Sequence, residues 1–120
     1  MRIMEKHIKS KRHYQALQYA LDQIKKSELS RFIEKIYLYG SCARGEEEWD
    51  SDIDLFVQLQ EEARKYPETK KQILLLKGEV STDEIADPEA DVKFVFGSEW
   101  ENSPMLYYAN VRRDGINLWQ

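Results

Sequence analysis

The sequence predicts an α+β fold, a small mixed β-sheet of three to four strands flanked by helices. Three observations predict it. Apolar residues recur at spacings of three and four in an early stretch and alternate every second residue in three later ones, the periods of helix and strand respectively. Helical and extended patterns follow one another along the chain instead of segregating, as they do in a sheet that helices cover. Finally, 120 residues with 42% apolar side chains and three tryptophans suffice for one hydrophobic core but not for two.

The elements follow in chain order. Ser10 caps a helix whose stripe is Tyr14, Leu17, Leu21 and Ile24, ending near Lys26 or running on, broken, to about Phe32. "KIYLYG" alternates Ile36 and Leu38 with Tyr37 and Tyr39 before a glycine, a short strand entering a turn. "DIDLFVQL" places Ile53, Leu55, Val57 and Leu59 on one face and Asp52, Asp54 and Phe56 on the other, a strand with its core side defined. Pro67 opens a helix that runs to about Val80 through Ile73, Leu74, Leu75 and Leu76. "ADVKFVF" is a third strand, with Val92, Phe94 and Phe96 opposite Asp91, Lys93 and Val95. "SPMLYYANVRRDG" has the marks of a complete helix: Ser103 as cap, Pro104 at the first position, Arg112 and Arg113 in the last turn, Gly115 as the stop. "INLW" adds a short edge strand. Residues 1–120 form a single domain, with 1–9 as a flexible basic N-terminus.

Composition excludes several classes of function. No apolar run approaches the roughly 20 residues that cross a bilayer, and "MRIMEKHIKS" lacks the apolar stretch of a secretory signal. A cytoplasmic protein with no membrane partner is expected. A single cysteine, Cys42, with His7 and His13 as the two histidines, rules against a disulfide framework and a structural zinc site. Cys42 reads as a small packing residue and His13 as a residue of the helix surface. A net charge of −4 argues against nucleic acid as a partner. Charge is unevenly spread: Arg2, Lys6, Lys9, Lys11 and Arg12 make a basic start with the character of a solvated face, while Glu46, Glu47, Glu48, Asp50, Asp52 and Asp54 crowd one short segment.

The chemistry concentrates in "GSCARGEEEWDSDIDLF". A phosphate-binding P-loop fails there, because Glu46 and Glu47 stand where its lysine and hydroxyl belong. A calcium EF-hand fails as well, since its sharp sixth position is Leu55 instead of glycine. Two aspartates two residues apart on a strand fit better. Asp52 and Asp54 project from one side, close enough to bind one magnesium ion and bridge a second, as in sites that clamp both oxygens of a phosphoryl transfer. A third ligand is expected from a neighbouring strand, and Asp91 opens the other strand that begins with an acid. Gly40 lets the backbone approach a phosphate, and Ser41 with the amides after it can hydrogen-bond one. The plain alternatives are acids kept for solubility at 52 and 54, and a polar loop end at 91; two like charges on one face repel, so structure alone gains nothing from the first pair.

"GSCARG" followed by "DSDIDL", with ten residues between Ser41 and Asp52, resembles the nucleotidyltransferase superfamily of DNA polymerase beta, in its minimal single-domain form. That resemblance covers nearly the whole chain and implies the polymerase beta-like fold. It also implies a magnesium-dependent enzyme, using two ions, that moves a nucleoside monophosphate from ATP or another nucleoside triphosphate to a hydroxyl. Asp52, Asp54 and Asp91 would be catalytic metal ligands, Asp91 the base, and Gly40, Ser41, Arg44 and Ser51 the nucleotide-binding residues. Arg44 would contact phosphate or order its loop; Lys93 would reach a phosphate or pair with Asp91. Minimal relatives stand beside an all-helical HEPN toxin, which implies an antitoxin that adenylylates its partner. An aminoglycoside-type adenylyltransferase is less favoured, because such enzymes hold the drug with a second domain. The alternative from another class is an inactive binding module that covers a partner with apolar surface around Trp100, Tyr107, Tyr108 and Trp119. Self-association into a homo-oligomer stays open.

Overall fold

In the computed structural model, which describes residues 7–119, four strands form one mixed sheet. They are β1 (Ile33–Tyr39), β2 (Ile53–Leu59), β3 (Ala90–Phe96) and β4 (Ile116–Asn117), in the order β3-β2-β1-β4. β1 pairs antiparallel with β2 and with β4, whereas β2 and β3 run parallel. A parallel pair needs a crossover, and the helix α3 (Glu68–Glu79) lies within it. The other helices are α1 (Lys11–Lys26), the single turn α2 (Ser41–Arg44) and α4 (Leu106–Asp114). Arg2 and Lys6 of the basic start lie outside the described residues; Ile8, inside them, is 4% exposed and part of the core.

The main core lies between one face of the sheet and α1 with α3. Ile36, Leu38, Ile53, Leu55, Val57, Leu59 and Val92 meet Leu17, Leu21 and Ile24 from α1 and Leu76 from α3. Four successive apolar residues cover every side of a helix, so Ile73–Leu76 cannot all face inward. Leu76 is buried, and Leu74 and Leu75 are exposed.

The opposite face is also covered. Phe56, expected on the outer side of its strand, is fully buried with Tyr39, Trp100 and Val111, and Tyr37, Val95, Tyr107 and Tyr108 pack against them. The Trp100 indole donates to Gln58 Oε1 at 2.8 Å, and Gln58 Nε2 donates to Glu34, so the buried amide is satisfied on both ends. This corrects the expectation of a docking patch: Trp100 is 6% exposed, and Tyr107, Tyr108 and Trp119 are half-buried against the two cores. A central strand buried on both faces holds its polar exceptions under constraint, and the exceptions here are Gln58 and Asp54.

Two boundaries differ from expectation. A 3₁₀ turn over Glu99–Asn102 ends on Ser103, so α4 starts at Leu106 instead of Pro104, and the Ser103 hydroxyl accepts from the Met105 amide. Gly115 does end α4, but with φ −65° and ψ 132°, a conformation open to any residue. Its small size serves packing instead, since a Cβ there would collide with the Val111 carbonyl and crowd Tyr37.

At the start of α1 the cap is as expected: Ser10 Oγ accepts from the His13 amide. His13 itself corrects the surface expectation. It is 1% exposed, one ring nitrogen bonded to Ser10 Oγ at 2.8 Å and the other to the Ser51 carbonyl at 2.9 Å. It sits on the same stripe as Ala16, Leu17, Ala20 and Ile24, and its two partners make burial tolerable. Arg12 is no idle solvated charge either. Its guanidinium donates to the carbonyls of Ala86 and Trp49 and lies 3.6 Å over the Trp49 ring. Ser10→Ala, which removes the cap and one histidine partner, is expected to cost about 1 kcal/mol or somewhat more. A urea titration measures it; an unchanged midpoint would show that the cap carries no stability.

Candidate functional site

The site begins where β1 ends. Gly40 turns the chain with φ 79° and ψ −157°, a region glycine alone enters cheaply. Ser41 then opens α2, and the amides of Ala43 and Arg44 close on the Gly40 carbonyl. At the far end Gly45, with φ 70°, is a left-handed cap. One turn of helix is thereby held between two glycines directly beyond the sheet.

Strand register places the acids. Tyr39 on β1 pairs with Asp54 on β2, and Asp54 pairs with Asp91 on β3, so the three side chains form a row across the sheet on the Phe56 face. The Asp54 carboxylate leans over the turn: a Cβ added to Gly40 would stand 2.5 Å from Asp54 Oδ2. Asp54 is half-buried, and its pKa is pushed up to about 6, by burial first and then by the charges of Asp91 and Asp52. Asp91 is 50% exposed and receives the Lys93 ammonium at 3.0 Å, the second of the two roles open to that lysine. Asp91, through its hydrogen bond, is the main reason the Lys93 pKa rises.

Asp54 and Asp91 are therefore brought together by register, and Asp52 acts on Asp54 by its charge from just ahead of the strand. β2 begins at Ile53, so the strand alternation expected to align Asp52 with Asp54 does not reach back to it. Asp52 is exposed at the head of the strand, lining a cleft with Arg12, Trp49, Ile85 and Glu89. Among the described residues, no three His, Cys, Asp or Glu side chains are close enough together to hold a metal ion. The chemistry of the paired donors nevertheless fits a hard divalent cation. They are carboxylate oxygens, crowded enough that one resists ionisation, beside a glycine whose missing side chain leaves room for the Asp54 carboxylate.

The remaining expected residues surround this pair. Arg44 donates to Glu46 at 2.8 Å and to Asp114 at 2.7 Å, which orders the loop and ties it to the end of α4. Asp114, gripped by Arg113 and Arg44, has its pKa lowered. The Ser51 hydroxyl accepts from the Glu48 amide at 2.9 Å and shapes the turn ahead of Asp52. The glutamate run is largely engaged: Glu46 holds Arg44, Glu47 accepts the Ser10 amide at 2.7 Å, and Glu48 is exposed. Cys42 is buried, and desolvation, with Glu47 next, pushes its thiol up to about 12. It is a packing residue with no nucleophilic thiolate at neutral pH.

Sequence reasoning missed Tyr39 and the closeness of Tyr107. Their rings are 6.1 Å apart, and each hydroxyl perturbs the other, burial being the larger reason that both pKa values are raised. The Tyr107 hydroxyl is buried without a well-formed hydrogen bond among the described residues. The signal for Tyr39 was its place directly before Gly40. Tyr107 carried none, since only the packing of α4 brings it to the row.

A Gly-Ser turn thus lies beyond β1, with Asp54 on β2 and Asp91 on β3 side by side in register. The chain belongs to the nucleotidyltransferase family of polymerase beta, whose family model, described as polymerase beta, nucleotidyltransferase, matches residues 22–120. The crystal structure of a candidate nucleotidyltransferase from Sulfolobus solfataricus is similar, with 17% identity, a TM-score of 0.52, and cover of 91% of this chain and 84% of that one. At that identity the likeness speaks for the shared fold. No curated protein matches the chain.

Proposed function

We propose that the chain is a magnesium-dependent nucleotidyltransferase that moves AMP from ATP to a hydroxyl of a partner. The observation that carries this reading is the Tyr39-Asp54-Asp91 row, with the Asp54 carboxylate set over Gly40. Asp54, Asp91 and Asp52 would hold the divalent ions, which when bound neutralise phosphate charge and polarise the α-phosphate. Gly40 offers backbone without side-chain bulk to the triphosphate, and Ser41 offers a hydroxyl at the start of α2. Arg44, through Asp114 and Glu46, keeps that turn in place. Asp91, with half its side chain exposed, accepts the proton as the acceptor oxygen bonds to the α-phosphorus. The bond from that phosphorus to the bridging oxygen breaks, and pyrophosphate leaves. Catalysis of this kind is positioning and charge neutralisation.

The domain is small, and a partner protein supplies the acceptor. The resemblance to minimal nucleotidyltransferases favours an all-helical HEPN toxin, with this chain as its antitoxin. A binding module without chemistry loses the support of its aromatic patch, which is packed into the fold. No helix among the described residues is long and apolar enough to cross a membrane. The test is incubation with ATP labelled at the α-phosphate, magnesium and the product of a neighbouring gene. Label is expected on the partner and pyrophosphate in solution; a partner inhibited to the same degree without label transfer would overturn the reading.

A further inference from the structure

We propose that Lys93 is an internal counter-cation for the Asp54-Asp91 pair, which a divalent ion must displace from Asp91 before it binds. The inference rests on the metal-dependent reading of this site. Lys93 and Arg44 both act on the Asp54 carboxylate. Arg44 is committed to Glu46 and Asp114 at 2.8 Å and 2.7 Å, the second a carboxylate with little exposure. Among the described residues the carboxylate partner of Lys93 is Asp91, at 3.0 Å, and both side chains are about half exposed, at 44% and 50%.

Exposed pairs of this kind are weak and easily exchanged. A divalent ion brings twice the charge to the same oxygen and has no side-chain freedom to lose. The released ammonium has a second place to rest, for Lys93 Nζ already lies 5.5 Å from the centre of the Tyr107 ring, where a cation is attracted by the ring face. The carboxylates are thus never left without a positive charge nearby. Lys93 thereby lowers the affinity of the site for a metal ion that arrives alone.

The test is manganese binding without nucleotide, read from the loss of the free-ion electron paramagnetic resonance signal. Lys93→Gln is expected to tighten binding about tenfold, the effect of removing a unit charge about 6 Å from a divalent ion in a water-like medium. Lys93→Met should do the same, Lys93→Arg should restore the original affinity, and the gap should narrow at high salt. Binding by Lys93→Gln alone would support the inference as well. Equal or weaker binding by Lys93→Gln, when the unaltered protein binds, would overturn the inference and leave the nucleotidyltransferase reading standing. Binding by neither would overturn that reading, and the inference with it.

Discussion

Asp54→Asn is expected to reduce nucleotidyl transfer by on the order of a thousandfold or more, while making the metal-free protein more stable at neutral pH. The first effect follows because the charge lost is the one set over the Gly40 turn, and a metal ion in such chemistry supplies several kcal/mol of charge stabilisation. The second follows from the crowding of that charge. The folded-state pKa of Asp54, about 6, lies above its ordinary value of 3.8. Between those values the folded protein holds more protons than the unfolded chain, so stability falls as pH rises through the interval. Above pH 6 the penalty is complete; below the ordinary carboxylate range it is absent. Asparagine carries no charge and escapes it. Allowing for solvent screening of a half-buried group, the variant should gain roughly 1–2 kcal/mol at pH 8 and nothing near pH 4. Urea titrations in the presence of a chelator at both pH values measure the difference. A variant less stable at pH 8 would show that the carboxylate contributes more by its contacts than it loses by repulsion.

Such a gain would be the mark of a site whose charge serves function at the expense of the fold. It also explains what the sequence could and could not reveal. Strand periods in 36–39, 53–59 and 92–96, the Ser10 cap and the Gly-Ser turn were legible because each is decided within a few residues. His13 was not, because its second partner is the Ser51 carbonyl, 38 positions away. Trp100 and Phe56 misled for a related reason: an alternating strand announces one core face, and the second core exists only because the 3₁₀ turn and α4 fold over the other. The pairing of Asp54 with Asp91 was expected from their place on strands, but the row including Tyr39 depends on register, which is set by pairing and not by local pattern. Asp52 lies one residue ahead of the strand, where a period-two rule no longer decides the direction of a side chain. The family match begins at residue 22, so Ser10 and His13, which brace the loop ahead of Asp52, lie outside it.

Gly40→Ala should be the most damaging small substitution near the site, losing both stability and transfer. Two separate costs contribute. The conformation at φ 79° and ψ −157° strains any residue with a Cβ by about 1–3 kcal/mol. The added methyl would also stand 2.5 Å from Asp54 Oδ2, well inside contact distance, so the carboxylate must move. A displacement of about 1 Å at a reacting centre lowers turnover by on the order of a hundredfold. The two costs separate in a double-mutant cycle with Asp54→Ala, because the Asp54 Cβ lies 3.5 Å from the added carbon, an ordinary contact. Gly40→Ala should therefore cost more when Asp54 is present than when it is alanine, by roughly 1–2 kcal/mol, a coupling typical of residues in contact. The part that persists in the alanine background is backbone strain. Equal costs in both backgrounds would mean that the carboxylate does not lie over the turn, and the row of Tyr39, Asp54 and Asp91 would lose its connection to the Gly-Ser turn.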